Sequence, residues 1–393
     1  MTALQLTVML AALAFASCGR PSTQAAAPDQ SVTTGRETTP LQLSTPRAAH
    51  SAVALANGDV LFFGGCVEDG CERGPASSTV DRFDYRSGSI ARVGRLTGER
   101  VSMAAAALPS GKVLLAGGWA GSDETDAVEL YDPNTGRARR VAALAIPRAD
   151  IAEATLADGR ILLAGGFANS RTQTVIEIFD PSTNKVAIAG HLQVPRAGAV
   201  AAVLSDGRVL IVGGGENGAT GLVPSASAEI FDPATGSVVP AGRLAVARYK
   251  HAAVRLGNGR VLVIGGSDSH DRDGKISALE EFDPVTARFQ PAGETLDARY
   301  KIDAAVLLLP DSRVLIAGGA AQPEIYDPAT RRSARTGPKI GETLNFSTAT
   351  LLPDGAAILA GGYSEREIRV SDRVWRVDPA AAGPAPAAPP PRS

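Results

Sequence analysis

One string of residues recurs along the chain, and that recurrence constrains the fold more than the length of 393 residues does. The clearest copy begins at Arg196, passes through an apolar stretch to Leu204 and reaches Ser205-Asp206-Gly207-Arg208. Val209-Leu210-Ile211-Val212 then leads into Gly213-Gly214, a variable loop follows, and Glu229-Ile230-Phe231-Asp232-Pro233-Ala234-Thr235-Gly236 closes the copy. Gly-Gly pairs start at Gly64, Gly117, Gly165, Gly213, Gly265, Gly318 and Gly361, at intervals of 43 to 53 residues. A period of that size marks stacked supersecondary units, none of which can bury its apolar faces alone.

Each part of the copy has a local reading. Runs such as Val113-Leu114-Leu115-Ala116 and Val261-Leu262-Val263-Ile264 are strand-length and bounded by turn residues. Upstream stand Asn57-Gly58, Ser110-Gly111, Asp158-Gly159, Asp206-Gly207, Asn258-Gly259 and Asp354-Gly355. These pairs tolerate the positive φ of tight hairpins, so strands one and two of each unit pair. After the loop comes an aromatic followed by Asp: Phe83-Asp84, Tyr131-Asp132, Phe179-Asp180, Phe231-Asp232, Phe282-Asp283 and Tyr326-Asp327, with Val377-Asp378 in the seventh unit. An Asp-Pro-x-Thr-Gly stretch turns strand three into strand four, the Asp folding back on local amides. Four antiparallel strands repeated radially predict an all-β protein, a seven-bladed β-propeller of four-stranded blades.

With Gly-Gly after an apolar strand and an aromatic-Asp beyond it, the chain resembles the kelch-repeat β-propeller family, the family that includes the central domain of galactose oxidases. The resemblance covers residues 37–379 and implies kelch-like blades. It departs from the type where kelch units commonly carry a strand-four Trp, since here the region holds Ile90, Ala138, Val186, Val238, Phe289 and Ser333. The seventh unit ends at Asp378 without a fourth strand, and Thr39-Pro40-Leu41-Gln42-Leu43 is expected to supply it. Closure of that kind removes an exposed edge.

The flanks read as address and tether. Leu4 to Phe15 is an uncharged apolar run too short to span a bilayer, the pattern of a secretory signal. Phe15-Ala16-Ser17-Cys18 resembles a bacterial lipobox, which places the signal at residues 1–18 with Cys18 lipidated; cleavage after Ala16 is the competing reading. Residues 19–36 read as a flexible tether and 380–393 as a disordered Ala/Pro tail. The protein is therefore expected to be exported, held to the membrane by an N-terminal lipid, facing the periplasm or cell surface, and monomeric. Of the three cysteines, Cys66 and Cys71 remain to pair as a local disulfide. A net charge of -2 argues against nucleic acid as a partner.

No catalytic residues are assigned, because no nucleophile elbow, HExxH or phosphate loop occurs. Resemblance to the copper-radical galactose oxidases raises a metal, but those enzymes need two His, two Tyr and a Cys, one His coming from a domain after the propeller. Only His50, His191, His251 and His270 occur here, so neither a metal nor another cofactor is expected. Tyr249 and Tyr300, each in an Ala-Arg-Tyr-Lys run, either line the central mouth or lie between units with a wet hydroxyl. The favoured function is a cell-envelope binding or scaffold module for a protein or glycan; the alternative is a carbohydrate-processing enzyme, a mutarotase or hydrolase, using the same face.

Recognition is expected on the strand two-to-three loops, which span 16 residues in unit one (65 to 81), 15 in unit four, 14 in unit five and 5 in unit six. Glu216, Asn217, Asp268, His270 and Asp271 are the candidate binding residues. Finally, two columns run through the repeats. Arg47, Arg100, Arg148, Arg196 and Arg248 precede strand one, with Arg299 two residues out of register. Asp81, Glu129, Glu177, Glu229, Glu280 and Glu324 stand two residues before the strand-three aromatic. The seventh unit loses both together, to Leu344 and Trp375, which predicts bridges inside the scaffold over a free cationic rim.

Overall fold

A computed structural model describes residues 41–68, 75–219, 221–366 and 369–379. The signal segment with Cys18, the tether, Cys71 and the Ala/Pro tail lie outside the described residues. Within them the protein is all-β, with one short 3-10 turn at Asp271–Gly274, and its sheets have the β-propeller-type arrangement.

The unit after Arg196 serves for the rest. Strand one (Val200–Val203) pairs antiparallel with strand two (Val209–Val212), two with three (Gly221–Phe231), and three with four (Val238–Arg248). The turn between strands one and two differs in detail from the expectation. Only its Gly takes positive φ, as at Gly207 (86°) and Gly159 (85°), while Asp206 supplies Oδ1 to the Arg208 amide at 3.1 Å. The second turn follows the expected mechanism: Asp232 Oδ1 accepts from the Ala234 amide at 2.9 Å. Strand-four residues at the missing Trp position lie directly opposite the strand-three aromatic, Phe231 against Val238 and Phe282 against Phe289. Among the described residues, the first strands neighbour one another in a closed circuit, from Ser51–Ala54 through Ala104–Ala107, Ala152–Thr155, Val200–Val203, Ala252–Arg255, Val306–Leu308 and Thr348–Leu351 back to Ser51–Ala54. The last sheet takes its outer strand from the N-terminal side, Leu41 pairing with Val374 and Gln42 with Arg373.

The Gly-Gly pair links one unit to the next. Its second amide donates to the main-chain carbonyl of the next unit's Arg: Gly166 to Arg196 at 2.8 Å, Gly214 to Arg248 at 3.0 Å, Gly266 to Arg299 at 2.7 Å and, across the closure, Gly362 to Arg47 at 2.9 Å. A Cβ on Gly165 (φ 62°) would sit 2.5 Å from the Arg196 carbonyl oxygen, so positive φ and backbone approach both require glycine.

The two columns meet inside the scaffold. Arg47 reaches Asp81 at 3.1 Å, Arg196 Glu229 at 2.9 Å, Arg248 Glu280 at 2.7 Å and Arg299 Glu324 at 2.6 Å; Arg100 pairs with Glu129 and Arg148 with Glu177. All twelve side chains are buried. Each guanidinium also caps carbonyls, Arg196 those of Gly213 (2.7 Å) and Ser227 (3.0 Å). Each acid accepts main-chain amides just ahead of its Arg, Glu229 from Gln193 (2.8 Å) and Val194 (2.9 Å). Arg, acid and Gly-Gly therefore form one latch that fastens the outgoing strand of one unit to the next. In the seventh unit Leu344 and Trp375 are buried in one apolar cluster, an uncharged substitute for the pair.

Candidate functional site: the loop-bearing mouth

Antiparallel pairing returns the chain to one face for both the strand two-to-three loops and the connections between units. On that face every connection places a residue in the left-handed region two positions after its Arg, or after Leu344. They are Ala49 (φ 49°), Ser102 (51°), Asp150 (53°), Gly198 (59°), Lys250 (55°), Lys301 (56°) and Phe346 (52°). Main-chain hydrogen bonds join them at six of the seven steps, all but that from Gly198 to Lys250: Ser102 N–H to Ala49, Gly198 to Asp150, Lys301 to Lys250, Phe346 to Lys301 and Ala49 to Phe346, at 2.7 to 3.0 Å, with Asp150 to Ser102 at 3.4 Å. The result is a collar at the mouth, to which each unit offers one side chain.

The collar is chemically lopsided. Its two lysines lie in consecutive units and converge with a third on the buried ring of Tyr300, with half-buried rings around it. Lys275 and Lys301 Nζ are each 5.0 Å from the Tyr300 ring centroid, and Lys250 is 5.9 Å away. Lys250 also lies 4.7 Å from the Tyr249 ring, while Lys301 is 5.1 Å from both Phe346 and Tyr363 and donates to the Tyr363 hydroxyl. Two carboxylates hold the group together. Asp271 accepts from Tyr249 and Lys250, both at 2.8 Å, and Glu365 accepts from Lys275 at 2.6 Å and Asn345 at 2.8 Å. Burial pushes the Glu365 carboxyl up, but the hydrogen bonds from Lys275 and Asn345 outweigh it and hold it below the usual carboxylate range. Burial, with Tyr363 and Glu365 beside it, pushes the Tyr300 phenol up, so it remains a neutral donor. Tyr300 is 2% exposed and Lys301 7%. Packing against rings fixes where these ammonium groups point, so less side-chain freedom is lost when a ligand meets them.

The expected binding residues separate. Asp271 belongs to the cluster. Asp268 and His270 bond to each other at the rim, with His270 Nδ1 3.0 Å from Asp268 Oδ1. Glu216 and Asn217 sit on a hairpin, Gly215–Gly218 against Gly221–Pro224, where Asn217 accepts from the Thr172 amide at 3.1 Å. Tyr300 lies between units, but its hydroxyl meets Glu365 where a wet position was the expectation. Sequence reasoning passed over Lys250, Lys275, Lys301, Tyr363 and Glu365; the doubled Ala-Arg-Tyr-Lys run was the signal for the first and third.

His50 and His251 are wedges between units. His251 packs beneath Gly213 as Ile302 does beneath Gly265, and His50 Nε2 lies 2.9 Å from Thr348 Oγ1. Burial, with Arg248 beside it, lowers His251 to about 3. An unfolded chain takes up this proton near 6.5, so folding stability is complete above that pH and declines as pH falls toward 3. The thermal midpoint should accordingly fall over that window, and by less in His251→Gln; equal falls in both proteins would contradict the assignment.

No family model matches the chain, and no curated protein matches it in sequence. Solved structures do share the fold. One is a novel fungal alcohol oxidase of the AA5 family in complex with copper, 18% identical, covering 86% of this chain and 75% of that one, with a TM-score of 0.70. The donors here do not fit a copper centre: two histidines are interior wedges, and among the described residues no three His, Cys, Asp or Glu side chains gather for a metal. At that identity the likeness is one of fold alone, and the fold it supports is the β-propeller type.

Proposed function

We propose that the protein is an exported, kelch-like propeller of seven blades, tethered through lipid on Cys18, that binds a protein or glycan partner of the cell envelope with its loop-bearing mouth. The observation that carries this reading is the lysine–tyrosine cluster. The scaffold latch is complete without them, whereas Lys250, Lys275, Tyr300, Lys301, Tyr363 and Glu365 gather cations and rings from three units at one place on the collar. Ala49 occupies the collar position of Lys250 and Lys301 with the same left-handed backbone, so alanine is tolerated there. The variant carrying Lys250→Ala and Lys301→Ala should therefore keep its melting temperature within a few degrees and lose at least tenfold in affinity for the partner recovered with the wild-type protein. Unchanged affinity would reject the mouth as the site.

Processing of a sugar on the same face is the second reading, favoured by the alcohol oxidase that shares the fold. Turnover of a bound sugar, in place of stoichiometric retention, would move the protein to that class.

The closed circuit of first strands supports the blade number, and the complete burial of Cys66 at the start of the unit-one loop supports its pairing with Cys71. Mass spectrometry of the mature, unreduced protein should find a diacylglyceryl group on Cys18 and a Cys66–Cys71 link. An unmodified N-terminus at Ser17 would refute the anchor, and two alkylatable thiols the disulfide.

A further inference from the structure

Beside the mouth, the shortest of the measured loops opens a second concavity. In unit six only Ala320 to Pro323 separate Gly319 from Glu324, while unit five sends out the longer segment that carries Asp271 and Lys275. The low loop becomes the floor of a cleft of about 430 Å³, lined below by Gly319, Ala320, Ala321 and Gln322 and along its walls by Lys275, Arg335 and Lys339 with Asp297. A space of this size suits a sugar ring.

We propose that this cleft is a subsite for an acidic polysaccharide, receiving a carboxylate or sulfate group of a chain whose next residues lie on the collar; this rests on the mouth being the binding face. The charge arrangement points to an anion. Among the described residues Asp297 is the one carboxylate lining the cleft, and it is taken by Arg335, whose two terminal nitrogens meet its oxygens at 2.6 and 3.1 Å. That hydrogen bonding first, and the charges of Arg335 and Arg299 with it, hold the Asp297 carboxyl below its usual range against burial, so it stays ionised and committed. Lys339 is exposed on the wall. Lys275 stands in both places: it lines the cleft and packs on Tyr300 in the cluster, where Glu365 accepts a hydrogen bond from it at 2.6 Å. A ligand bound to both sites therefore shares this ammonium with Glu365, and Lys339 is, beside the Asp297-bound Arg335, the cation in the cleft wall that faces solvent. The glycine and two alanines of the floor leave room for a ring beside Gln322.

The full mature protein would be titrated with polygalacturonate, dextran sulfate and neutral dextran. At least one anionic polymer should bind, with the preferred one identifying carboxylate or sulfate, and added salt should weaken it. Lys339→Glu, which reverses charge at an exposed position, and Ala321→Trp, which fills the floor and leaves charge alone, should each weaken binding about tenfold or more, a loss of about 1.4 kcal/mol. Neutral dextran binding as well as the acidic polymers would overturn the ligand class. Both variants binding like wild type, while Lys250→Ala with Lys301→Ala does not, would overturn the cleft and leave the mouth standing. Capture of a protein partner at the mouth with no polymer bound would overturn this inference and leave the proposed function intact.

Discussion

Arg196→Ala is expected to destabilise the protein by about 3–5 kcal/mol, because it strands a buried carboxylate in place of a paired one. Arg196 is 0% exposed and Glu229 2%. Glu229→Ala should cost about as much, since it leaves the buried guanidinium with two carbonyls and the Ser227 hydroxyl but no counter-charge, and frees the Gln193 and Val194 amides. The two changes act on one latch, so the double variant should fall short of their sum by about 1–3 kcal/mol. Urea titrations of the four proteins measure this directly. A strictly additive cycle would mean that the ion pair, 2.9 Å across, couples nothing, and that the carbonyl and amide contacts alone hold the units together.

Loss of residues 37–43 is expected to remove several kcal/mol, a large share of a domain's total stability of about 5–15 kcal/mol. Leu43 is buried among Val60, Phe62, Ile358 and Val374, which come from the first and last units. The Leu43 amide donates to the Asp372 carbonyl at 2.7 Å, and the next residue, Ser44, donates its amide to Asp81 at 2.8 Å. Asp81 in turn pairs with Arg47. Deletion thus strips a strand, empties part of the core and weakens the latch that closes the circuit, while exposing Arg373–Val377 as an open edge with Trp375 on it. The truncated protein should melt well below the full chain and aggregate on heating. Coincident melting curves would mean that closure does not depend on this strand.

The scaffold was legible because it is written seven times. A requirement such as positive φ beside a neighbour's carbonyl admits only glycine, and a buried guanidinium admits few partners, so both leave columns that can be read down the units. The mouth leaves no such column. At the collar the backbone is held by its own hydrogen bonds and asks nothing of the side chain, so Ala49, Ser102, Asp150, Gly198, Lys250, Lys301 and Phe346 share no chemistry. Loop length says little about shape, because a concavity also forms where a short loop stands between longer ones, as at Gly319–Glu324, while the longer unit-five loop brings Asp271 and Lys275 to the mouth. Asp268 and His270 satisfy each other at the rim, while Asp271, next in sequence, turns inward to Tyr249 and Lys250. Sequence adjacency could not separate them.

The collar also bears on how such a protein changes its preferences over generations. Its main chain is secured at six of the seven steps between units, and residues as different as Gly198 and Phe346 are accommodated at equivalent addresses. Replacing the occupant of one address therefore alters what the mouth presents without renegotiating the blades beneath it. Two duplicated descendants that differ at only a few of these addresses would keep nearly the same thermal stability and present different chemistry at the mouth, so that under the proposed function ligand choice changes in single-residue steps.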